Sequence, residues 1–446
     1  MTVHQRPASP AIPGPRGLEH LRVMERAASY SGGAVCALHE RYGPIFRFGF
    51  GPVRFVWLVG EEAVRLVLQE RPESFGLSRA YRFLAPITGE SALITSDGAR
   101  HHQRRRLVQP AFYPQRLGEA LALVQANARR LADDLAGRER VDLHSELRPR
   151  VLRTVCEVLL GPETLARHPA LVPAVAAMMD FANLPFLAQG FKLPLPGTPW
   201  TRFLWARRRA DALLYGEIRR RRTLGAGDGV LAMLLGARDE EGRGLSDLEV
   251  RDQSLSLLSA GFDTTSAALS WAIYGLLTRP DYLAALREEL SGVPVLEPTQ
   301  LKALARLDWL VKETLRLYPP APAGLRQALE DVPFRGYTIA KGSLVAFSIY
   351  ATHRQESLYP SPLLFKPERW DPDAPGYRPV SPYGYLPFGG GLRYCIGAGL
   401  ATMTIKLFLI ALLGRFRLTP AWTGSVTETG NTVQPKGGLP LRLSPL

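Results

Sequence analysis

The sequence predicts a mostly helical α+β protein that folds as a single domain. Apolar residues recur at three- and four-residue spacing through most of the chain, which is the periodicity of amphipathic helices. Strand-like segments are short and lie towards both ends of the chain. No Gly/Ser-rich or strongly charged linker divides the 446 residues. We therefore expect a flexible N-terminus over residues 1–12 and one domain over residues 13–446.

The individual elements follow from local signals. One strand pair is predicted at 45–50 and 55–59, and a second at 332–338 and 343–349, with the turn near Lys341-Gly342. Apolar periodicity predicts six long helices, at 115–135, 143–160, 201–222, 246–278, 281–290 and 304–317. The longest of them begins with a capping box of Ser246 and Glu249 and stops before Pro280. Prolines and glycines in residues 371–387 predict an irregular loop.

Charge restricts the classes of partner. A formal net charge of +14 suits nucleic acid, an anionic membrane or an acidic protein. The basic clusters at 104–106, 207–209 and 219–222 have no interleaved aromatics and belong to no nucleic-acid-binding motif, which argues against nucleic acid. Solvated helix faces and an acidic redox partner remain as alternatives.

The cysteines and the N-terminus indicate a compartment. Cys36, Cys156 and Cys395 are far apart, so neither a disulfide framework nor a zinc site is predicted, and a reducing compartment fits. The polar, proline-rich N-terminus has no apolar core of a signal peptide, and the longest apolar runs are too short to cross a bilayer. We expect a cytoplasmic protein without a membrane anchor.

The most informative segment is 388–397, in which a lone cysteine follows three glycines. Glycine allows the backbone to turn tightly and to approach a bulky group. An apolar helix predicted after Cys395 would direct its free N–H groups and positive dipole end at the sulfur, which favours the thiolate. A buried core thiol is the alternative. A thiolate in a glycine-lined notch suits a metal or haem ligand.

This segment resembles the haem-ligand loop of the cytochrome P-450 family, Phe-x-x-Gly-x-Arg-x-Cys-x-Gly with an alanine four residues further on. The matching positions are Phe388, Gly391, Arg393, Cys395, Gly397 and Ala401. The resemblance implies a bound heme b (iron protoporphyrin IX) with the Cys395 thiolate as the iron ligand.

The middle of the longest predicted helix carries a cluster of polar residues, 259–266. Because these are poor helix formers, we expect the helix to bend or open there, although a wet helix face would also explain them. The cluster resembles the family's oxygen-binding motif, matched by Ala260, Gly261, Asp263, Thr264 and Thr265. The resemblance implies that Asp263 and Thr264 deliver protons as the O–O bond breaks, and that Gly261 leaves room for oxygen.

Two further sets of charged residues match family positions. Glu313 and Arg316 share a helix face, and an exposed ion pair worth about 0.5 kcal/mol is the ordinary interpretation of that spacing. The resemblance instead implies a buried structural network of Glu313, Arg316 and Arg369. It also implies haem-propionate contacts from His101, Arg105, Arg326 and Arg393, whereas Arg104 and Arg106 are expected on a solvated basic face.

The resemblance implies a haem-thiolate monooxygenase that inserts one oxygen atom of O2 into a C–H or C=C bond of a hydrophobic small molecule such as a terpenoid, carotenoid, fatty acid or polyketide. Electrons would come from a separate acidic ferredoxin or flavodoxin with its NAD(P)H reductase, docked near Arg104 and Lys406 on a monomer. A peroxide-driven hydroxylase and a non-catalytic haem sensor or carrier are the alternatives, and the Asp263-Thr264 pair argues against both.

Several apolar side chains lie in the family's variable substrate-contact regions and predict an apolar pocket, with core packing as the alternative for each. They are Tyr81, Phe83, Leu84, Phe181, Phe186 and Phe191.

Overall fold

The computed structural model describes residues 10–27, 31–50, 53–184, 189, 192–225, 227–291 and 297–446. Of the substrate-contact candidates, Phe186 and Phe191 lie outside these ranges, as do residues 1–9 of the expected flexible N-terminus. The chain groups into two compact units, each assembled from three stretches. Within the described ranges, no helix combines the length and the apolar character needed to cross a bilayer.

Helices dominate the described part of the chain. Their bounds are α1 Gly17–Ala27, α2 Ser31–Tyr42, α3 Glu61–Arg65, α4 Ala85–Thr88, α5 Gly98–Val108, α6 Pro114–Leu135, α7 Leu143–Leu160, α8 Pro162–Arg167, α9 Leu171–Ala182, α10 Pro199–Leu224, α11 Gly229–Gly236, α12 Asp247–Leu277, α13 Pro280–Leu290, α14 Pro298–Ala303, α15 Ala305–Leu317, α16 Ile349–Thr352 and α17 Ala398–Leu413. A π-helical turn, Leu66–Glu70, follows α3.

The strands are short. Their bounds are β1 Ile45–Phe50, β2 Val53–Leu58, β3 Phe75–Gly76, β4 Arg140–Asp142, β5 Ala323–Ala328, β6 Val332–Phe334, β7 Tyr337–Ile339, β8 Leu344–Ser348, β9 Phe416–Pro420, β10 Glu428–Thr429, β11 Gln434–Pro435 and β12 Pro440–Pro445. The mostly helical α+β class predicted from the sequence is confirmed.

The first unit comprises Met1–Phe83, Pro322–Pro362 and Val380–Tyr394. Its sheet has the order β1-β2-β8-β5-β3, and the predicted pairing of β1 with β2 is confirmed, running from Ile45 opposite Leu58 to Phe50 opposite Val53. Alternate residues of the central strands enter two different apolar clusters, so both faces of this sheet are buried.

The second predicted strand pair was wrong. Residues 332–334 pair with 337–339 across Arg335-Gly336, both of which have positive φ (47° and 80°). This tight turn closes the hairpin before Lys341-Gly342 is reached. Strand β8 instead pairs in parallel with β2 and antiparallel with β5, which sequence analysis missed. The buried residues of β8 suit a central strand.

The second unit comprises Leu84–Ala321, Leu363–Pro379 and Cys395–Leu446. Its centre is α12, which is buried along most of its length and packs against α7, α15 and α17. Trp271 of α12 stacks on Tyr318 with ring centroids 4.2 Å apart and donates to the carbonyl of Val433 at 2.9 Å. The predicted capping box of Ser246 and Glu249 is confirmed.

The expected local opening of this helix was wrong, because α12 is helical without interruption from Asp247 to Leu277. Hydroxyl groups in this polar cluster donate hydrogen bonds to main-chain carbonyls of the same helix. The hydroxyls of Thr264 and Thr265 donate to the carbonyls of Ala260 and Gly261, each at 2.7 Å. This bonding does not remove any main-chain hydrogen bond of the helix. The irregular loop predicted for residues 371–387 is confirmed.

Candidate functional site

Cys395 differs from the other two cysteines in its surroundings. Cys156 is fully buried and Cys36 is half-buried, whereas Cys395 is exposed, just before α17. Protein around the thiol raises its pKa above the ordinary value. The backbone N–H groups of Gly397 and Ala398 and the charge of Arg105 lower the pKa and partly offset the burial. The N–H groups at the start of α17 therefore act in the direction that the sequence indicated, while burial keeps the net shift upward.

The glycines before the cysteine belong to the first unit and are needed for close backbone packing. Gly389 and Gly391 have positive φ, 68° and 59°. A Cβ atom on Gly391 would lie 2.7 Å from the carbonyl oxygen of Leu68, in the π-helical turn. Phe388 packs near Tyr394, with ring centroids 6.3 Å apart. The glycine run thus allows the segment to lie directly on that turn.

The middle of α12 has one open face. Ala260 is exposed and Gly261 and Thr264 are half-buried, although Phe262 and Asp263 between them are buried. A face of small side chains on an otherwise buried helix leaves space for a large flat group. Together with an exposed cysteine flanked by two N–H groups and an arginine, it provides the donor set and the room that a cysteine-ligated haem requires.

Gly261 has a packing role. The Cβ atom it lacks would lie 3.1 Å from Cγ1 of Val155 on α7, so the glycine permits close packing of α7 on α12. That Gly261 leaves room for oxygen stays a prediction. The exposed residue on this part of α12 is Ala260.

Asp263 is buried and held by two donors. Arg148 Nε donates to its Oδ1 at 3.0 Å, and Asn183 Nδ2 donates to its Oδ2 at 2.6 Å. Arg148 also pairs with Asp180 at 3.0 Å. Burial would lower the pKa of Arg148, but the two carboxylates outweigh it and raise that pKa. Arg148 and Asn183 were missed, since no motif or spacing links them to residue 263.

A cavity of about 450 Å³ lies beside this ion pair. Arg148 and Phe262 contribute to its wall, together with His144 and Gln434. Burial and the neighbouring Arg148 lower the pKa of His144, which favours its neutral form. His144 Nδ1 lies 2.9 Å from the Ser270 hydroxyl. Arg148 thus connects the buried carboxylate of Asp263 with a polar cavity outside α12.

Glu313, Arg316 and Arg369 meet in the second unit. Glu313 and Arg316 are fully buried, and the carboxylate accepts from Arg316 Nε and Nη2 at 2.9 Å each, and from Arg369 Nε at 3.0 Å. Trp370 Nε1 and the Lys366 N–H complete the set, at 3.0 and 2.8 Å. Burial would raise the pKa of Glu313, but these partners lower it overall. The exposed-pair interpretation of this motif was wrong.

The expected basic docking residues are not at the surface. Arg104 is buried, donating to Ser96 Oγ at 2.5 Å and pairing with Glu249 at 3.1 Å. Lys406 is buried against Asp308 at 2.9 Å. The solvated-face prediction for Arg104 and the docking prediction for Arg104 and Lys406 were therefore wrong, because acidic residues of neighbouring helices neutralise both side chains. Arg106 is exposed and pairs with Glu240.

The remaining candidates occupy both units. In the second unit, His101 is buried on α5, and Arg105 on the same helix is half-buried. In the first unit, Arg326 is buried, donates to the Leu325 carbonyl at 2.8 Å and lies 5.2 Å from the ring centre of Phe347. Arg393 is half-buried.

The described substrate-contact candidates differ in how deeply they are buried. Phe181 is buried among Trp200 and Phe203, with ring centroids 5.3 and 5.0 Å away, which supports its interpretation as core. In the first unit, Phe83 is exposed, and Tyr81 accepts from the Leu325 N–H at 3.1 Å. Leu84, the first residue of the second unit, is half-buried.

Comparison with known proteins agrees with this geometry. The Cytochrome P450 family model matches residues 22–438. A putative cytochrome P450 139 of Mycobacterium tuberculosis is 36% identical over 391 residues, covering 87% of this chain and 91% of the relative. The cyclooctatin synthase of Streptomyces melanosporofaciens is 32% identical over 371 residues, covering 81% and 78%. The structure of retinoic acid-bound cyanobacterial CYP120A1 has a TM-score of 0.87 and 28% identity, covering 98% of this chain and 100% of that one.

The fold and the cysteine site define a haem-thiolate protein. The chain belongs to the cytochrome P450 family and is a monooxygenase with a cysteine-ligated protoporphyrin IX haem. The family acts on hydrophobic substrates with O2 and receives electrons from redox partners.

Proposed function

We propose that Cys395 is the iron ligand and that the enzyme hydroxylates or epoxidises a hydrophobic small molecule, such as a terpenoid, carotenoid, fatty acid or polyketide. The observation that carries the assignment of the ligand is the exposure of Cys395 beside two N–H groups and Arg105, in contrast to buried Cys156. The names of two similar proteins support an apolar substrate. One is a cyclooctatin synthase, and the other has a solved structure with bound retinoic acid.

Haem, when bound, supplies the activation of dioxygen. Thr264 would donate a proton from its hydroxyl, which now donates to the Ala260 carbonyl and needs only a rotation about χ1 to turn elsewhere. Asp263 would supply the next proton once it exchanges Arg148 or Asn183 for water. Arg148 borders the 450 Å³ cavity, and the exchange would take place on that side.

The other candidates would position the cofactor. His101, Arg105, Arg326 and Arg393 are proposed to neutralise the two propionates, and Ala260 and Gly261 to lie along the haem on the α12 side. Phe388 and Gly397 would pack around the cysteine loop. Glu313, Arg316 and Arg369 would keep that loop in place, since they bond to one another and to neighbouring protein groups.

Electrons are proposed to come from a separate acidic ferredoxin or flavodoxin with its NAD(P)H reductase. The net charge of +14 supports an acidic partner, although Arg104 and Lys406 are buried and cannot form the contact. A monomeric, cytoplasmic enzyme also remains a prediction.

The ligand assignment is tested by replacing Cys395 with serine. The reduced, carbon monoxide-bound wild-type protein should show the absorption of thiolate-ligated haem, and Cys395→Ser should lose it because an alcohol does not replace the thiolate. Half-buried Cys36→Ser is the matched control and should keep the wild-type spectrum. Retention of the thiolate spectrum by Cys395→Ser would refute the assignment.

A further inference from the structure

The segment that comprises α4 and the residues after it, up to position 95, is held by two consecutive buried side chains of α12. Asp252 Oδ2 accepts from the Ser91 N–H at 2.9 Å. Gln253 Oε1 accepts from the Leu93 N–H at 3.1 Å, and its Nε2 donates to the Ser91 carbonyl at 2.6 Å. We call residues 85–95 the clamped loop. All three bonds reach its main chain, so they fix where the backbone lies whatever side chains the loop carries.

A chain of charges fastens the same loop at a second point. Arg251 joins Asp252 at 2.5 Å and Asp211 of α10 at 2.5 Å. Arg207 pairs with Asp211 at 3.0 Å and donates to the carbonyl of Pro86. The charges therefore alternate from one end of the loop to the other. Arg251 and Asp252 are buried, whereas Arg207 and Asp211 are half-buried, and the pairing offsets the cost of burying the two inner charges.

Gly89 is required for this contact. Its φ is +88°, and a Cβ atom there would lie 2.1 Å from the Asp252 carboxylate. No other residue could occupy the position without moving either the loop or Asp252. The loop backbone and the carboxylate are thus fitted to each other.

The position of Gln253 on α12 connects the loop with the open face. At 100° per residue, Gln253, Leu257, Ala260 and Thr264 lie on one side of the helix. Gln253 is buried under the clamped loop, Leu257 and Thr264 are half-buried, and Ala260 is exposed. The loop therefore covers this face at its N-terminal end, and the uncovered part begins one turn further on.

We propose that Asp252 and Gln253 are positioning residues that hold the clamped loop as the end wall of the ligand space along α12, and so set the size of the molecule that fits there. The inference rests on the proposed function, because it takes the open face of α12 as the haem side. Neither residue touches substrate. Each acts through the loop backbone.

The test compares two iron ligands of different bulk in the haem-loaded protein. Imidazole needs only the iron, whereas clotrimazole also needs the walls of the pocket. In Gln253→Ala, clotrimazole should bind at least about tenfold more weakly because a buried loop loses two main-chain bonds, while imidazole affinity stays within about twofold. The control is Ser254→Ala, whose hydroxyl donates within α12 to the Val250 carbonyl and bonds to no other residue that the structure describes. It should leave both affinities unchanged.

Hydrogen exchange provides a readout that does not depend on ligand binding. The Leu93 amide should exchange faster in Gln253→Ala and at the wild-type rate in Ser254→Ala. If Gln253→Ala does not fold, Gln253→Glu serves, since it keeps an acceptor for Leu93 but replaces the donor to Ser91 by a carboxylate oxygen that opposes the Ser91 carbonyl. Faster exchange with unchanged clotrimazole affinity would overturn the inference, as would parallel weakening of both azoles. A wild-type protein without a thiolate spectrum would instead overturn the proposed function.

Discussion

Replacing Glu313 with glutamine is the sharpest test of what stabilises the second unit. The substitution keeps the size of the side chain but removes its charge. It removes the carboxylate that pairs with the fully buried guanidinium of Arg316 and the nearly buried one of Arg369. Five donors converge on this carboxylate, and the glutamine NH2 group would oppose at least one of them.

The magnitude follows from the burial of the pair. Breaking a buried ion pair by removing one partner costs about 3–5 kcal/mol. For a chain of 446 residues, the unfolding entropy is about 0.9 kcal/mol per degree, so the expected fall in Tm is about 3–5 °C. The matched control is Glu119→Gln. Its pair with Arg116 has the same three-residue spacing and the same 2.9 Å distance but is exposed, and should contribute no more than about 1 kcal/mol.

The assay is thermal unfolding at one scan rate, followed over a range of pH. The folded pKa of Glu313 lies below its ordinary value of 4.5, so the carboxylate stabilises the fold fully above that value. This stabilisation is lost as the pH falls through the folded pKa, and the gap between wild type and Glu313→Gln should close there. Equal Tm changes for Glu313→Gln and Glu119→Gln at pH 7 would refute the reasoning.

Two further predictions concern turnover. Thr264→Ala should bind haem and ligands normally but divert electrons to peroxide or water, with product formation about 10²- to 10⁴-fold slower because the hydroxyl is lost from the proton path; unchanged coupling of NAD(P)H use to product would remove Thr264 from that path. Reduction by an acidic ferredoxin should slow steeply as salt rises, since charge steering is screened over about 8 Å at physiological ionic strength, while azole binding barely changes. Reduction rates that are independent of salt would argue against an acidic partner.

Local signals predicted the helices well and long-range partners poorly. The capping box of Ser246 and Glu249 is complete within four residues, so the start of α12 was readable from the sequence. The pairing of β8 with β2 joins distant segments and leaves no local trace. The burial of Arg104 could not be predicted for the same reason. A cluster of arginines in the sequence indicates a solvated helix face, and its partner Glu249 lies on a different helix.

The residues of the site also separate into those that local spacing predicted and those that it could not. The cysteine loop was recognisable because its glycines and Cys395 occur at fixed spacing. The donors to Asp263 could not be predicted, because Arg148 lies on α7 and Asn183 directly after α9, and no spacing in the sequence links either to residue 263. The packing of Gly261 could not be predicted either, because its neighbour Val155 comes from α7.

The parallel pairing of β2 with β8 has a consequence for synthesis on the ribosome. The neighbouring bond from the Gly60 N–H to the Thr352 hydroxyl joins residues 292 positions apart. At about 5–20 residues per second, the first hairpin waits roughly 15–60 seconds for the strand that completes its sheet. Over that interval β2 has an unpaired edge, which is the kind of surface that chaperones shield and that aggregation exploits. Slower translation before residue 344 lengthens this exposure, so expression temperature and codon choice should affect the yield of folded enzyme.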